Sequence, residues 1–144
     1  AGEAAGAESV ECALNFQAKR IGHGIRCIEN PLVMQELADR GVVLELCPTS
    51  NLNTKIYETI GDYPIQQLMN KGIRVTVNTD NMMVSDTTEA RELALVADIF
   101  NMEKKDVKQL IMNGVEAAFA TEVIKNRLRA RVETQFVKVE GIRG

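Results

Sequence analysis

Apolar residues recur at helical spacing in the first part of the chain. This spacing predicts a first helix over residues 9–19, with Ser9 as its N-terminal cap. Asn30 and Pro31 carry the start signals of a second helix, and Gly41 stands where a left-handed glycine commonly ends one. The chain therefore opens with two predicted helices joined by a short segment of sequence RIGHG.

Short apolar runs rich in β-branched residues alternate with these helices. Residues 42–47 and 73–77 predict two buried strands, and a shorter strand is expected to end near Gly22. The segment 48–63 is dense in Thr, Asn, Gly and Pro, which favours a long loop.

The second half of the chain is predicted to be mainly helical. Pro64 begins a short helix that Gly72 ends, and residues 86–89 form a capping box for a longer one. Apolar residues then mark two further helices around 107–111 and 115–123. Each crossover between strands is long enough for parallel pairing, so the fold class is α/β with a parallel sheet and flanking helices. The pattern alone leaves open a small doubly wound domain and a section of a (β/α)8 barrel.

Polar residues follow each predicted strand. His23 lies between two glycines, residues 48–51 follow the second strand, and Asp80 and Asn81 follow the third. Ligands bind beyond the carboxyl ends of parallel strands, so these side chains are expected to converge. His23 is a candidate acid–base or electrostatic catalyst, with a structural histidine at a turn as the alternative. Asp80 is a candidate metal ligand or base, with a turn or capping residue as the alternative.

Composition and charge narrow the choice of partners. Seventeen basic and twenty acidic side chains give a net charge of −3, and aromatic residues make up 4% of the chain without any Trp. Nucleic-acid binding is therefore not expected, and the basic run 125–131 is interpreted as the solvated end of a helix. No leader or apolar run typical of a membrane span is found, and three cysteines without metal-ligand spacing suggest reduced thiols, so a cytoplasmic protein is predicted.

Five short segments, in this order along the chain, resemble the adenosine deaminase family of zinc hydrolases. They are AGE at 1–3, RIGHG at 20–24, LELCPTSN at 44–51, VTVNTDN at 75–81 and NGVEAAFA at 113–120. The resemblance extends over nearly the whole chain. It implies that residues 1–144 form one partial domain, the C-terminal half of a (β/α)8 barrel from the end of strand 5 through strand 8 and the helices that follow.

The resemblance also implies a chemistry and a set of site residues. The family hydrolyses adenosine to inosine and ammonia with a zinc ion, and Asp80 matches one of its zinc ligands. Glu3 matches the glutamate that handles the proton at purine N1, and His23 matches the histidine that orients and stabilises the attacking hydroxide. Gly2 matches a backbone position near the purine. Asn81 matches a position often occupied by aspartate that contacts purine N7, so its amide is expected to alter ring binding more than the reaction.

The chain has a single histidine, His23. The resemblance assigns three zinc ligands to histidines that match nothing in these 144 residues, so the isolated chain is expected neither to retain Zn²⁺ nor to turn over substrate. Unpaired sheet edges of a half barrel lead us to expect a homo-oligomer or equivalent contacts.

Two alternatives stay open at this stage. The first is an adenine or other purine deaminase of the same superfamily. The second is a non-catalytic α/β binding or structural domain.

Overall fold

A three-stranded parallel sheet forms the centre of the fold. The computed structural model describes residues 1–140, so the last four residues of the predicted 1–144 unit lie outside the described part. The strands are β1 (Arg20–Gly22), β2 (Val43–Leu46) and β3 (Arg74–Val77), and they are arranged in the order β1-β2-β3. The predicted parallel α/β class is confirmed.

Eight α-helices are found in residues 1–140. They are α1 (Ala7–Asn15), α2 (Pro31–Arg40), α3 (Pro48–Asn53), α4 (Ile65–Asn70), α5 (Met82–Ser85), α6 (Glu89–Ile99), α7 (Lys104–Ala117) and α8 (Glu122–Glu140). Two 3-10 helices, Ile25–Glu29 and Ile60–Asp62, complete the regular structure. Within the described residues, no helix is both long and apolar enough to cross a membrane.

Buried apolar residues of the middle strand hold the sheet in the core, and Glu45 is the one residue of that strand that is not buried. Leu44 of β2 lies opposite Ile21 of β1 and Val75 of β3, and all three are at most 3% exposed. Leu37 of α2 and Leu68 of α4 are fully buried in the same cluster. Full burial of a side chain of this size contributes about 1.5–3 kcal/mol. One continuous core therefore fixes the sheet on which the strand-end residues stand.

The start and end signals of α2 act as predicted. The Asn30 side chain accepts a hydrogen bond from the Leu32 amide, Pro31 is the first helical residue, and Gly41 is left-handed at the C-terminal end. The first helix differs from the prediction, because it begins at Ala7 and ends at Asn15. Ser9 is not its cap, since its hydroxyl donates to the carbonyl of Gly6 instead.

Four predictions for the rest of the chain are wrong in detail. Residues 86–89 do not form the expected capping box, because the cap of α6 is Thr88, whose side chain accepts from the Arg91 amide. The segment 48–63 is not an unbroken loop, because it contains α3 and the second 3-10 helix. The expected helix around 115–123 does not exist as one unit, because residues 118–121 separate α7 from α8. The basic run 125–131 therefore lies inside α8 rather than at a helix end, where Arg129 forms ion pairs with Glu116 and Glu122.

Candidate functional site

The carboxyl ends of the three strands meet at one edge of the sheet, as their parallel pairing requires. His23 follows β1, Cys47 follows β2, and Asp80 lies three residues after the end of β3. His23 and Asp80 both have left-handed backbones, with φ of 62° and 55°. Non-glycine residues rarely adopt this conformation, and such strain is concentrated at functional sites.

Two carboxylates face the His23 imidazole. Its Nε2 lies 3.4 Å from Glu3 Oε2 and 3.9 Å from Asp80 Oδ2. The His23 side chain is 18% exposed, whereas that of Asp80 is 43% exposed. The structure thus brings together Glu3, His23 and Asp80, the three residues expected to act in catalysis.

Glu3 is held in place because the segment around it is pinned to the residues after β1. The Gly24 amide donates to the Ala1 carbonyl at 2.8 Å, and the Arg26 amide donates to the Gly2 carbonyl at 3.1 Å. Gly2 is buried with φ of 63°, and a Cβ there would lie 2.9 Å from the Gly24 Cα. Only glycine therefore fits this close approach.

The polar groups of Gly2 are already used within the fold. Its amide donates to Ser9 Oγ at 2.7 Å, and its carbonyl accepts from Arg26. The missing side chain of Gly2 makes room for Val10 and Gly24, so the residue serves to position Glu3.

Asn81 stands apart from the other predicted residues. Its Oδ1 accepts hydrogen bonds from the amides of Met83 and Val84, both at 3.1 Å, and so caps α5. The residue is exposed next to Asp80. Met83 in the first turn of α5 is 91% exposed.

The α3 segment supplies residues that the sequence analysis left as an undivided polar cluster. Ser50 Oγ donates to Asp80 Oδ2 at 2.8 Å. Asn51 Nδ2 donates to Glu3 Oε1 at 3.1 Å and lies 3.1 Å from His23 Nδ1. The sequence signal that could have identified Ser50 and Asn51 is their position shortly after the end of a buried strand.

Tyr63 is a further part of the site that the sequence did not indicate. Its hydroxyl donates to Asn51 Oδ1 at 2.9 Å, and the residue is 2% exposed. Tyr63 follows a segment of turn-forming residues, a context in which nothing distinguishes it from an ordinary core aromatic.

The donor atoms at this edge fit a metal ion as part of a ligand set. Ligand atoms of His23, Cys47 and Asp80 lie within 4.8 Å of one another. Burial, reinforced by the nearby carboxylates, raises the pKa of the Cys47 thiol to about 12, so the thiol is protonated when no metal is bound. Asp80 is the candidate anionic oxygen ligand of this group, and the described residues alone do not complete the four-coordinate set that zinc prefers.

The arrangement can hold and move protons beside a polar substrate. Carboxylates accept, a neutral imidazole both donates and accepts, and the serine and asparagine side chains orient them. Such an array suits hydrolysis of a group that must be protonated before it leaves.

Comparison with known proteins identifies the family. A family model described as adenosine deaminase matches residues 1–135. The chain is 45% identical over 136 residues to an adenosine deaminase from Haemophilus ducreyi, covering 94% of this chain and 40% of that protein. The chain thus spans about 40% of the length of this curated relative.

Solved structures show the same relationship. An adenine deaminase from Arthrobacter aurescens superimposes with a TM-score of 0.91 at 29% identity, covering 96% of this chain and 42% of that one. An amidohydrolase from Burkholderia ambifaria with bound Zn superimposes with a TM-score of 0.87 at 24% identity, covering 99% and 40%.

These structures confirm the predicted partial (β/α)8 barrel. Its strand ends carry the converging carboxylates and imidazole, and the family match extends over nearly every described residue. The chain belongs to the adenosine deaminase family.

Proposed function

We propose that this chain carries part of the active site of a zinc-dependent enzyme that hydrolyses adenosine to inosine and ammonia. The observation that supports the proposal is the convergence of Glu3, His23 and Asp80 at one edge of the sheet. In the proposed domain, residues 1–144 extend from the end of barrel strand 5 through strand 8 and the helices that follow.

Asp80 would hold the zinc ion, which when bound activates water for attack on a carbon centre. Ser50 Oγ donates to Asp80 Oδ2 and so orients this carboxylate. A hydrogen bond to a metal-binding side chain keeps that side chain in its binding orientation.

Glu3 handles the proton at purine N1 in this proposal. A proton placed on N1 withdraws electrons from C6 and makes that carbon electrophilic, so water oxygen adds there. The C6–N6 bond then breaks, and N6 leaves as ammonia once it has gained a proton. Water and adenosine thus give inosine and ammonia without any redox partner.

His23 orients and stabilises the attacking oxygen. Its Nε2 faces the gap bounded by the Glu3 and Asp80 carboxylates, where the reacting atoms would meet. The Gly2 backbone would lie close to the purine ring beside Glu3, and Asn81 would contact the N7 edge of the ring with its amide.

The test is ammonia release by the product of the complete reading frame that encodes this chain. Glu3→Gln should lower kcat by about 10²–10⁴, the usual contribution of a positioned acid or base. Glu11→Gln, an exposed glutamate of α1, is the matched control and should leave kcat unchanged. No ammonia from any purine would overturn the proposal and leave a non-catalytic binding domain.

Adenine is the second candidate substrate, because the chain is 29% identical to an enzyme named adenine deaminase. The same assay run with adenine and with adenosine separates the two by their kcat/KM ratio. A higher value for adenine would replace the substrate and keep the reaction type.

The 144-residue chain by itself is proposed to be inactive. With one histidine it cannot provide three imidazole ligands, so added zinc should bind weakly. Loss of adenosine absorbance with the isolated chain and zinc would overturn this part.

Association between copies and a cytoplasmic location complete the proposal. In the described residues β1 and β3 each pair only with β2, and exposed sheet edges favour association. The three cysteines are free thiols, which supports a reducing compartment. Light scattering that finds a monomer at high concentration would contradict the association.

A further inference from the structure

The Asn51 side chain joins four parts of the chain at the centre of the site. It is fully buried, and its Nδ2 lies 3.1 Å from both Glu3 Oε1 and His23 Nδ1. Its Oδ1 accepts a hydrogen bond of 2.9 Å from the Tyr63 hydroxyl. Both polar atoms of this amide are therefore engaged without solvent.

The chemistry of its neighbours fixes which way the amide points. An ionised carboxylate can only accept hydrogen bonds, so the edge of Asn51 that faces Glu3 must be the NH₂ group. The second hydrogen of that group is then available to His23 Nδ1. Turning the amide over would place its oxygen against a carboxylate oxygen, and each buried polar atom left unpaired costs about 1–3 kcal/mol.

A donor at Nδ1 determines the tautomer of the ring. If Nδ1 accepts a hydrogen bond, the proton of the neutral imidazole must sit on Nε2. That nitrogen is the one that faces Glu3 Oε2 and Asp80 Oδ2. The N–H bond of His23 is thus directed into the site and its lone pair away from it.

We propose that Asn51 and Tyr63 are a pair of positioning residues, in which Asn51 sets the Nε2–H tautomer of His23 and orients Glu3, and Tyr63 locks the Asn51 amide. The importance of this pair for catalysis rests on the proposed deaminase function. The tautomer itself does not depend on any substrate.

Tyr63 is suited to this part because its hydroxyl remains a donor. Burial raises the pKa of the Tyr63 phenol well above its usual range, so the group stays protonated. Its ring is wedged edge-to-face against that of Tyr57, with centroids 5.4 Å apart. Among the hydrogen bonds of the described residues, the acceptor found for this hydroxyl is the amide oxygen of Asn51.

The experiment uses the fact that His23 is the only histidine in the chain. The metal-free 144-residue chain is labelled with ¹⁵N-histidine, and ring nitrogens are observed by two-bond ¹H–¹⁵N correlation at a pH where their shifts have stopped changing. A pyrrole-type Nε2 and a pyridine-type Nδ1 are expected in the unmodified chain. A pyrrole-type Nδ1 there would overturn the proposal before any variant is made.

Asn51→Asp places an acceptor of the same shape opposite Nδ1. The expected result is a shift of the ring proton to Nδ1 as the dominant form. Unchanged nitrogen signals in the folded variant would overturn the role of Asn51.

Tyr63→Phe removes only the hydroxyl and keeps the ring. The Asn51 oxygen then loses the donor that holds it, while Glu3 still favours the same orientation of the amide. The Nε2–H form should therefore remain the major one but become less dominant, so that the two ring-nitrogen shifts move toward each other; shifts identical to those of the unmodified chain would overturn the role of Tyr63. Tyr57→Phe is the matched control, because it alters the neighbouring ring and should leave the spectrum unchanged.

The outcomes separate this inference from the proposed function. A complete protein that releases no ammonia refutes the function and leaves the tautomer result standing. The wrong tautomer refutes the inference while deamination stands.

Discussion

Gly24→Ala is expected to destabilise the fold because the residue beside His23 has no room for a side chain. Gly24 is left-handed, with φ of 70°, and a Cβ there would lie 2.6 Å from Leu44 Cδ2. Leu44 is fully buried in the middle strand, so its methyl group has no free space to enter. The added methyl group is therefore unfavourable for two reasons, the left-handed backbone and the clash with Leu44.

Their sizes follow from the geometry. A left-handed alanine costs about 1–2 kcal/mol, and forcing a methyl group into a packed core costs about 1–3 kcal/mol. Alanine also lowers the conformational entropy of the unfolded chain, which stabilises the folded state by about 0.4–1 kcal/mol. The net loss is about 2–4 kcal/mol, a large fraction of the roughly 5–15 kcal/mol by which domains are usually stable.

Urea unfolding followed by circular dichroism measures this loss. With a slope of about 2 kcal/mol per M, the middle of the usual range, the midpoint should fall by about 1–2 M. Two glycines serve as matched controls. Gly72 has φ of 81° and nothing within 4 Å of a built Cβ, so Gly72→Ala isolates the backbone cost.

Gly22 carries neither cost, because its built Cβ meets nothing within 4 Å and its φ is not in the left-handed region. Gly22→Ala should therefore be neutral or slightly stabilising. If Gly24→Ala lowered the free energy of unfolding no more than Gly72→Ala, Leu44 would be moving aside without cost. The packing argument would then be refuted.

Two further predictions concern buried groups. Burial raises the pKa of the Cys27 thiol from 9.0 to about 12, so the unfolded chain loses this proton first as the pH rises. The free energy of unfolding should therefore fall between about pH 9 and 12. In Cys27→Ala, the decrease over this pH range should be smaller, because the contribution of this thiol is gone. Exposed Cys12 should react with iodoacetamide in the folded state. Glu92 is fully buried and its Oε2 accepts from the Thr49 amide at 3.1 Å. Glu92→Ala should lower the free energy of unfolding, measured with urea, by about 1–3 kcal/mol. Glu92→Gln keeps an acceptor and should lower it less. Equal losses in the two variants would show that the charge itself is required.

Elements with local signals were predicted well. Helix α2 is specified by Asn30, Pro31 and Gly41, each of which acts on backbone groups within a few residues of itself. Strands β2 and β3 were identified because short runs rich in Val, Ile and Leu indicate strands, and most of their residues are buried. The convergence of His23, Ser50 and Asp80 followed from parallel pairing alone.

Features that depend on distant partners were missed. Helix α3 begins among residues that favour turns, and the Thr49 amide in its first turn is satisfied by Glu92 from a position 43 residues later. No local pattern contains that contact. Tyr63 was missed for the same reason, since its function in the site exists only once Asn51 lies beside its hydroxyl.

The short helix α3 is consequently the element on which the geometry of the site depends. Ser50 orients Asp80, and the next residue, Asn51, contacts both Glu3 and His23. Because adjacent residues of one rigid turn hold groups that come from three other segments, a displacement of α3 would move all their hydrogen bonds together. Glu92 accepts a hydrogen bond from the Thr49 amide in the first turn of α3, so the loss of this acceptor is expected to change the spacing of the Glu3 and Asp80 carboxylates through the helix.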